Sequence, residues 1–338
     1  MELTIITAVS YNSKKHYVYK RALELIEYFK NKKYQLIITD SSKNKYLISK
    51  YQNIKIIQLK YQSIFSPAIT RNEAIKSASN KYIMFYDVDM SVGYNFFDKL
   101  EEKIIKKLER KNNNFILLPF IYLTKEGTKV FEKNKNIQEI KDDFLKGNNK
   151  LVKNISLNSS AMVIKKTYLE HIGLFDTDFI GHGGEDFELI HRLIANNPHS
   201  KKPNDYYINE TSNIVANLKG FRRYMAYYTL PLLFEDLFLI HRWHNWPIFS
   251  KFYMLKNNNH EILINKMKSY DLLNKNKLWN SNRTAIKYNK YIINLCKQYK
   301  ITNYEGLFKE KNIILKKNNF KQYIRKILFF YLVQRKTK

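Results

Sequence analysis

The sequence predicts an α/β fold in which a mostly parallel sheet carries helices on both faces. Short apolar, β-branched runs alternate with segments of helical spacing, a pattern typical of such sheets. The 338 residues, 44% hydrophobic and 15% aromatic, can bury a large core. The single cysteine, Cys296, permits no intramolecular disulfide and no cysteine-based zinc site, which fits a reducing compartment.

Each element follows from its local pattern. Residues 3–9 form an apolar, β-rich run, and polar residues separate this run from a segment at 21–29 with helical spacing. The same strand-to-helix step then recurs. The later predicted elements are strands at 35–39, 54–59 and 82–86, a helix around 71–78, and a helix whose apolar stripe runs from Phe97 to Leu108.

The composition changes in the second part of the chain. Residues 125–153 are rich in Lys, Asn, Glu and Gly with few apolar anchors, which predicts an irregular insertion. From about residue 250 onward Lys and Asn dominate, and the alternation of strands and helices does not continue. We therefore predict a domain over 1–250 and a basic helical extension over 251–338.

Neither export nor a membrane span is predicted. The opening Met1-Glu2 leads directly into the first strand, without a basic region or a small-residue cleavage site. The most apolar stretch, 226–240, contains Pro231 and two acidic residues and is too short to span a bilayer. The expected location is the cytoplasm.

The chain is strongly basic. It has 59 Lys and Arg against 30 Asp and Glu, a net charge of +29, which attracts nucleic acid, anionic lipid or acidic polysaccharide. Lys, Asn, Ile, Tyr and Phe are abundant together, so an AT-rich codon bias explains the charge equally well. A nucleic-acid-binding protein or metal-dependent nuclease is one reading of this charge, although no recognised nucleic-acid motif supports it.

Two carboxylates follow the predicted strand at 82–86. Asp87 and Asp89 are separated by one residue, at the strand end where ligands gather in such sheets. Together they can hold a divalent cation, and the cation can neutralise a diphosphate. The alternative is an ordinary solvated turn.

A second acidic pair opens a predicted helix. Gly183 and Gly184 release the backbone immediately before Glu185 and Asp186. Carboxylates in a first helical turn are also favoured by the helix dipole, which explains Glu185 but not the glycines. We interpret Asp186 as a general base that deprotonates a hydroxyl.

These motifs resemble the inverting glycosyltransferases of family 2, which have the GT-A fold, a Rossmann-like α/β architecture, and especially bacterial capsule polysaccharide transferases. The Gly-Gly-Glu-Asp run is also similar to the signature of β-1,4-galactosyltransferases and chondroitin-type polymerases. The resemblance covers roughly residues 3–193. Its four blocks are residues 5–12 (Ile-Ile-Thr-Ala-Val-Ser-Tyr-Asn), 38–42 (Ile-Thr-Asp-Ser-Ser), 70–89 (from Thr-Arg-Asn to Asp-Val-Asp) and 173–186 (from Gly-Leu-Phe-Asp to Gly-Gly-Glu-Asp).

The resemblance implies a role for each matching residue. Asp40 accepts from uracil, Asp87 contacts ribose or metal, and Asp89 ligates manganese or magnesium bridging the diphosphate. Asp186, assisted by Glu185, deprotonates the acceptor hydroxyl. The other implied contacts are Ala8, Ser10, Arg71 and Asn72 with the donor, and Gly183 and Gly184 with the acceptor. For Asp40 a turn or helix cap, and for Arg71 a surface helix position, are the plainer alternatives.

Members of this fold commonly take a third metal ligand from a distant histidine. Here a strand-like run ends at His241 and His244, which sequence alone cannot separate. Trp243 and Trp246 are candidates for a wall against which an acceptor sugar stacks, with core packing as the alternative.

The reaction implied is a single displacement with inversion. A UDP-sugar would supply a hexose or N-acetylhexosamine to a hydroxyl of an oligosaccharide or capsule polysaccharide, with no role for nucleic acid. No activated serine or cysteine nucleophile is evident. A sugar-binding module without activity is a third reading, which the intact Asp87, Asp89 and Asp186 argue against.

The extreme C-terminal segment predicts peripheral contact with the inner face of an anionic membrane, beside capsule assembly proteins. Apolar residues from Phe320 to Tyr331 recur at helical spacing among lysines and arginines. Packing of this stripe on the catalytic domain is the alternative.

Overall fold

The computed structural model describes residues 2–111, 113–157, 160–245, 250–284 and 287–309. Trp246 and the predicted amphipathic segment at 320–331 lie outside them. The described strands are β1 (Leu3–Val9), β2 (Gln35–Asp40), β3 (Ile54–Gln58), β4 (Tyr82–Phe85), β5 (Met90–Ser91), β6 (Phe115–Leu117), β7 (Phe120–Leu123), β8 (Val152–Ser156), β9 (Met162–Lys165) and β10 (Leu239–His241).

A six-stranded sheet forms the centre of the molecule, with strand order β3-β2-β1-β4-β9-β6. Strands β1 to β4 are parallel, and β9 runs antiparallel to both β4 and β6. The prediction of an α/β fold with a mostly parallel sheet is confirmed.

Helices cover both faces of this sheet. The described helices are α1 (Tyr17–Phe29), α2 (Pro67–Ser77), α3 (Phe96–Ile104), α4 (Lys125–Asn134), α5 (Ile137–Leu145), α6 (Lys166–Ile172), α7 (Glu185–Asn196), α8 (Gly220–Phe234), α9 (Lys251–Met254), α10 (Lys256–Leu273) and α11 (Tyr288–Gln298). Alternate residues of β1 face opposite sides of the sheet. Ile5 lies in the apolar cluster that contains Leu25 of α1, whereas Ile6 lies in the cluster that contains Ile75 of α2.

A second, four-stranded sheet brings distant segments to the end of β4. Its order is β5-β10-β7-β8, and in its register His241 lies opposite Met90. The backbone N–H of Arg242 also donates to the carbonyl of Asp89, at 3.0 Å. This short sheet therefore places the segment around His241 beside the predicted metal-binding carboxylate.

The prediction of an irregular insertion over 125–153 is wrong. This region forms α4, α5 and β8, and Phe131, Ile140 and Phe144 are buried in the main core. The few apolar residues are spaced so that each helix has one buried side, which the overall polarity of the region conceals.

The described part of the C-terminal region is helical and packs on the α/β core. Leu263 and Met267 of α10 join the same apolar cluster as Ile190 of α7. A buried pair, His191 Nε2 and Asp271 Oδ1 at 3.2 Å, also connects the two helices. Among the described residues, no helix has the length and apolarity needed to cross a bilayer.

Candidate active site

The candidate site lies at the carboxyl ends of the strands of the central sheet, where three segments meet. Strand β4 ends at Phe85, and the chain continues through Asp87 to Asp89. Helix α7 begins at Glu185, as the sequence predicts, and α2 contributes Arg71. The polar side chains therefore converge where such sheets bind ligands.

Arg71 joins the two acidic motifs. Its Nη2 donates to Asp87 Oδ1 at 2.9 Å, and its Nη1 donates to Asp186 Oδ1 at 2.7 Å and to Glu185 Oε1 at 3.3 Å. Burial by itself would lower the pKa of Arg71, but the three carboxylates raise it. The planar guanidinium has enough donors in fixed directions to hold all three acids at once.

Exposure separates the roles of the two acids on α7. The Asp186 side chain is 19% exposed and accessible from the cleft, whereas that of Glu185 is 4% exposed. Burial raises the pKa of Glu185, and the neighbouring charge of Asp186 raises it further. Burial also raises the pKa of Asp186, while the charge of Arg71 opposes that increase. The pair therefore holds a proton more readily on Glu185, which leaves Asp186 as the ionised, accessible carboxylate.

The loop before α7 needs its glycines. Gly183 and Gly184 have φ angles of 85° and 105°, which side-chain-bearing residues rarely adopt. A Cβ on Gly184 would lie 2.5 Å from the buried ring of Phe179, whereas a Cβ on Gly183 would meet no atom within 4 Å. The space beside Gly183 is thus open, next to the accessible carboxylate.

Two polar side chains fix the chain reversal that precedes this loop. The amide of Asn72 donates to the carbonyl of Phe175 at 2.9 Å and accepts from its N–H at 3.0 Å. Arg192 of α7 donates to the carbonyls of Ile172, Gly173 and Leu174, at 2.6–2.8 Å. Asn72 was predicted to contact the donor, and the structure places its amide on this backbone.

Asp89, His241 and His244 form a second cluster. Oδ2 of Asp89 lies 3.2 Å from Nε2 of His241 and 3.3 Å from Nε2 of His244. Burial opposes ionisation of Asp89, but the charges and hydrogen bonds of the two imidazoles outweigh it and hold its pKa well below the usual value. Both histidines that the sequence could not separate therefore face the same carboxylate.

Packing and hydrogen bonding orient these imidazoles. The His244 ring stacks on Tyr17 with centroids 4.5 Å apart, and the His241 ring stacks on Tyr122 at 4.3 Å. Nδ1 of His244 lies 3.1 Å from the carbonyl of Asn245, and Nε2 of the same ring faces Asp89.

The donor set of this cluster fits a divalent transition metal. One carboxylate oxygen and two imidazole nitrogens lie within 4.8 Å of one another. Such a mixed oxygen and nitrogen set suits Mn²⁺ better than Mg²⁺, which prefers oxygen ligands. Asp87, the other predicted metal ligand, instead accepts from Arg71 and, at 2.5 Å, from the hydroxyl of Ser160.

Asp40, which is predicted to bind the nucleotide, is more buried than Asp186. Asp40 is fully buried, and its carboxylate accepts from the Tyr11 hydroxyl at 2.6 Å and from the Ser42 N–H at 2.8 Å. Burial, followed by the hydrogen bond to Asp40, raises the pKa of Tyr11 to about 12. Ala8 and Ser10 are half-buried at the end of β1.

Trp243 lies between the two histidines in sequence and is half-buried. Its backbone N–H donates to the Thr128 hydroxyl at 2.8 Å, and its backbone carbonyl accepts from Arg21 at 3.0 Å. The Lys125 ammonium lies 5.6 Å from the centre of its ring. These contacts fix its backbone, and its predicted role toward an acceptor sugar stays a prediction.

Several residues of the site were missed by sequence reasoning. Ser160 contacts Asp87 through tertiary structure alone, and no local signal marks it. Tyr11, Tyr17 and Tyr122 also contact residues of the site, but nothing in the sequence distinguishes them from the other tyrosines among the 26 in the chain. To predict the contact between Tyr122 and His241, one would have to know that β10 pairs with β5 and β7.

The glycosyltransferase-like family 2 model matches residues 4–269, and the chain belongs to this family. The predicted resemblance to family 2 glycosyltransferases is thereby confirmed over most of the sequence. No curated protein matches the sequence.

Solved structures with a similar arrangement include two of S. aureus TarS. The longer TarS structure is 14% identical, with a TM-score of 0.38, and the match covers 57% of this chain and 33% of TarS. The TarS 1-349 structure is 12% identical, with a TM-score of 0.39 and coverage of 88% and 80%. This chain thus spans about a third of the longer TarS chain.

A mannosyltransferase, PcManGT from Pyrobaculum calidifontis, was solved in complex with GDP-Man and Mn²⁺. It is 11% identical to this chain, with a TM-score of 0.39, and the match covers 90% of this chain and 72% of PcManGT.

Proposed function

We propose that this protein is a metal-dependent inverting glycosyltransferase that moves a sugar from a nucleotide-sugar donor to a glycan hydroxyl. The observation that carries the proposal is the convergence on Arg71 of Asp87, from the end of β4, and Asp186, from the start of α7. One acid belongs to the predicted donor side and the other to the predicted acceptor side. Their joint attachment to one guanidinium supports a single reaction centre.

The surroundings of Tyr122 support one shared cleft for the two acidic clusters. The Tyr122 ring stacks on His241, and, after burial, the charges of Asp89, Asp87 and Asp186 all raise the pKa of Tyr122. A donor diphosphate near Asp89 would therefore place its sugar toward Asp186. This proximity supports direct displacement at the anomeric carbon.

Asp186 is the proposed general base. Its Oδ1 accepts from Arg71, and its side chain remains 19% exposed, so the carboxylate can accept the proton of an acceptor hydroxyl as the hydroxyl oxygen attacks. Arg71 holds the carboxylate in one orientation and limits the rise in its pKa. Glu185, buried behind it, is the proposed proton-holding neighbour rather than the base.

Asp89, His241 and His244 are the proposed metal ligands. When bound, a divalent cation supplies positive charge that stabilises the departing nucleoside diphosphate. The chain's own contribution is to orient two imidazoles against Tyr17 and Tyr122 and to keep Asp89 ionised. We propose Mn²⁺ rather than Mg²⁺ as the resident ion because Mg²⁺ accepts imidazole nitrogen less readily.

The finer proposals concern substrates. We propose a UDP-sugar carrying a hexose or N-acetylhexosamine as donor, with Asp40, Ala8, Ser10 and Asn72 near the nucleotide, and a surface or capsule polysaccharide as acceptor. Asp40 is fully buried, so direct recognition of uracil there requires the loop after β2 to open. Gly183, Gly184 and Trp243 are the proposed acceptor contacts. We further propose a cytoplasmic location with peripheral membrane contact and a second unit beginning near residue 250.

Two experiments test this function. Mass spectrometry of products from a panel of UDP- and GDP-sugars, each with Mn²⁺ and with Mg²⁺, should reveal a glycosylated acceptor oligosaccharide. A melting-temperature series should show stabilisation by UDP with Mn²⁺ and none by oligonucleotides. Stabilisation by oligonucleotides alone, with no sugar transfer or donor hydrolysis, would overturn the proposal.

A further inference from the structure

The C-terminal end of α10 presents two adjacent leucines to solvent. The side chains of Leu272 and Leu273 are 71% and 83% exposed, among the most exposed large apolar residues that the structure describes. Single exposed leucines are common on soluble proteins, but an adjacent pair at a helix end forms a small protruding apolar surface. We call Lys268, Leu272, Leu273, Lys275 and Lys277 the α10 tip.

The α10 tip is firmly attached to the protein. Asp271, the residue before the leucines, points inward and accepts from Lys202 at 2.9 Å, from Tyr207 at 2.6 Å and from the Trp279 indole at 2.9 Å. Met267 and Leu263 lie one and two turns earlier on the same inner face and are fully buried. The leucines therefore face outward because the opposite side of the helix is fixed.

The chain after the helix is also fixed. The backbone N–H of Trp279 donates to the carbonyl of Ala195 at 2.8 Å, and Leu278 is buried. Lys275 and Lys277, on the connecting turn, are both exposed, as is Lys268 on the last turns of α10. Three exposed lysines thus lie within five residues of the two leucines in the chain.

The segment of chain that carries the α10 tip is basic. Residues 262–304 contain nine Lys and Arg and a single acid, Asp271. That acid is buried and paired with Lys202, so it contributes little negative charge to the surface. A basic surface with protruding aliphatic side chains complements an anionic lipid bilayer, whose headgroups attract lysines and whose acyl region accepts leucines.

We propose that the α10 tip is a membrane-docking surface, with Leu272 and Leu273 entering the interface of an anionic bilayer and Lys268, Lys275 and Lys277 contacting lipid phosphates. Nucleic acid would match the lysines but would offer no apolar region to the leucines. The surface lies within the described residues and is independent of the predicted segment at 320–331. It does not rest on the proposed transferase activity.

A fluorescent label on the full chain tests the proposal. The only native cysteine, Cys296, is fully buried, so Leu273→Cys can be labelled selectively with an environment-sensitive fluorophore. Ile48→Cys, at a position that is 80% exposed in the loop after β2, is the matched control. With vesicles of phosphatidylglycerol and phosphatidylcholine, the label at 273 should shift to the blue and increase in intensity about twofold or more, and spin-labelled acyl chains should quench it. The label at 48 should not respond.

Substitutions separate the apolar and charged contributions. Leu272→Asn with Leu273→Asn should weaken vesicle cosedimentation about tenfold or more at unchanged melting temperature. Lys275→Gln with Lys277→Gln should weaken it mainly at low salt, because salt screens the lipid charge. Both variants should keep the basal transfer or hydrolysis activity of the full chain.

Three outcomes would overturn the proposal. If the protein binds vesicles but the fluorescence of the label at 273 does not change, the membrane contact lies elsewhere in the chain. A response that depends on protein concentration without lipid would assign the leucines to self-association. A response to oligonucleotides but not to vesicles would assign the lysines to nucleic acid.

Discussion

Nη1 of Arg71 donates a 2.7 Å hydrogen bond to Oδ1 of Asp186, a residue 115 positions away in the chain. The contact fixes one oxygen of the proposed base while the side chain remains 19% exposed. It also connects helix α2 to the first turn of α7 at the point where the acceptor is expected to bind. Arg71 is therefore a positioning residue as well as a candidate donor contact.

Arg71→Lys should impair turnover more than binding. A lysine keeps the charge, but its single ammonium cannot reproduce the fork that holds Asp87 and Asp186 together. We expect kcat to fall about 10- to 100-fold with a smaller change in donor affinity. Kinetics and calorimetry on the same preparation would measure both, with the exposed Arg283→Lys as control. An unchanged kcat would show that the guanidinium geometry is not required.

Asp186→Asn should separate chemistry from binding. An amide cannot accept the proton of the attacking hydroxyl, so turnover should fall about 100-fold or more. Folding and UDP binding should be retained, since Asn still accepts a hydrogen bond from Arg71. Asp98→Asn, at an exposed position on α3, is the matched control. A variant with more than about half of wild-type turnover would move the base role elsewhere, first to Glu185.

The rate should depend on pH through Asp186. Burial raises its pKa to about 6, and the base must be ionised, so kcat should decline as the pH falls through that region. The charge of Arg71 opposes this rise, so Arg71→Gln, which removes that charge, should move the acidic limb of the profile to higher pH. A purely structural role for Arg71 would lower the rate without moving the limb. Stopped assays across a pH series, corrected for stability, would distinguish the two results.

Removing the proposed metal ligands one at a time should lower the affinity for Mn²⁺ by different amounts. Asp89→Ala removes the only carboxylate of the cluster and should abolish detectable Mn²⁺ binding and metal-dependent UDP binding. His241→Ala and His244→Ala should each weaken Mn²⁺ by about 10- to 100-fold, because both imidazoles face Asp89. Electron paramagnetic resonance of added Mn²⁺ reports binding without an activity assay. Unchanged UDP affinity in Mn²⁺ for Asp89→Ala would show that the metal site is misplaced.

The strands and the acidic motifs could be predicted from sequence because their signals are local. β1, β2 and β4 are apolar runs whose side chains alternate between two packed faces, and Asp87 lies two residues after the end of β4. The start of α7 at Glu185 was likewise visible from the glycines before it. Each of these features depends on residues within a few positions of one another.

The contacts that assemble the site could not be predicted in this way. β5 and β10 have two and three residues, too few for a periodic signal, yet their pairing brings His241 to Asp89. The bond between Ser160 and Asp87 connects positions 73 residues apart. Tertiary packing decides both, and it also orders the polar region at 125–153 around a few buried side chains.

The two glycines before α7 should respond differently to alanine. Both have positive φ angles, which cost an L-residue about 1–2 kcal/mol. Only at Gly184 would the added Cβ also meet Phe179, at 2.5 Å, and that ring is fully buried and cannot move aside freely. We therefore expect Gly184→Ala to lower the free energy of unfolding by about 2–4 kcal/mol and Gly183→Ala by only about 1–2 kcal/mol. Urea denaturation of the two variants side by side would measure the difference. Equal losses would mean that backbone strain alone, and not the Phe179 contact, requires glycine at the entrance to the proposed catalytic helix.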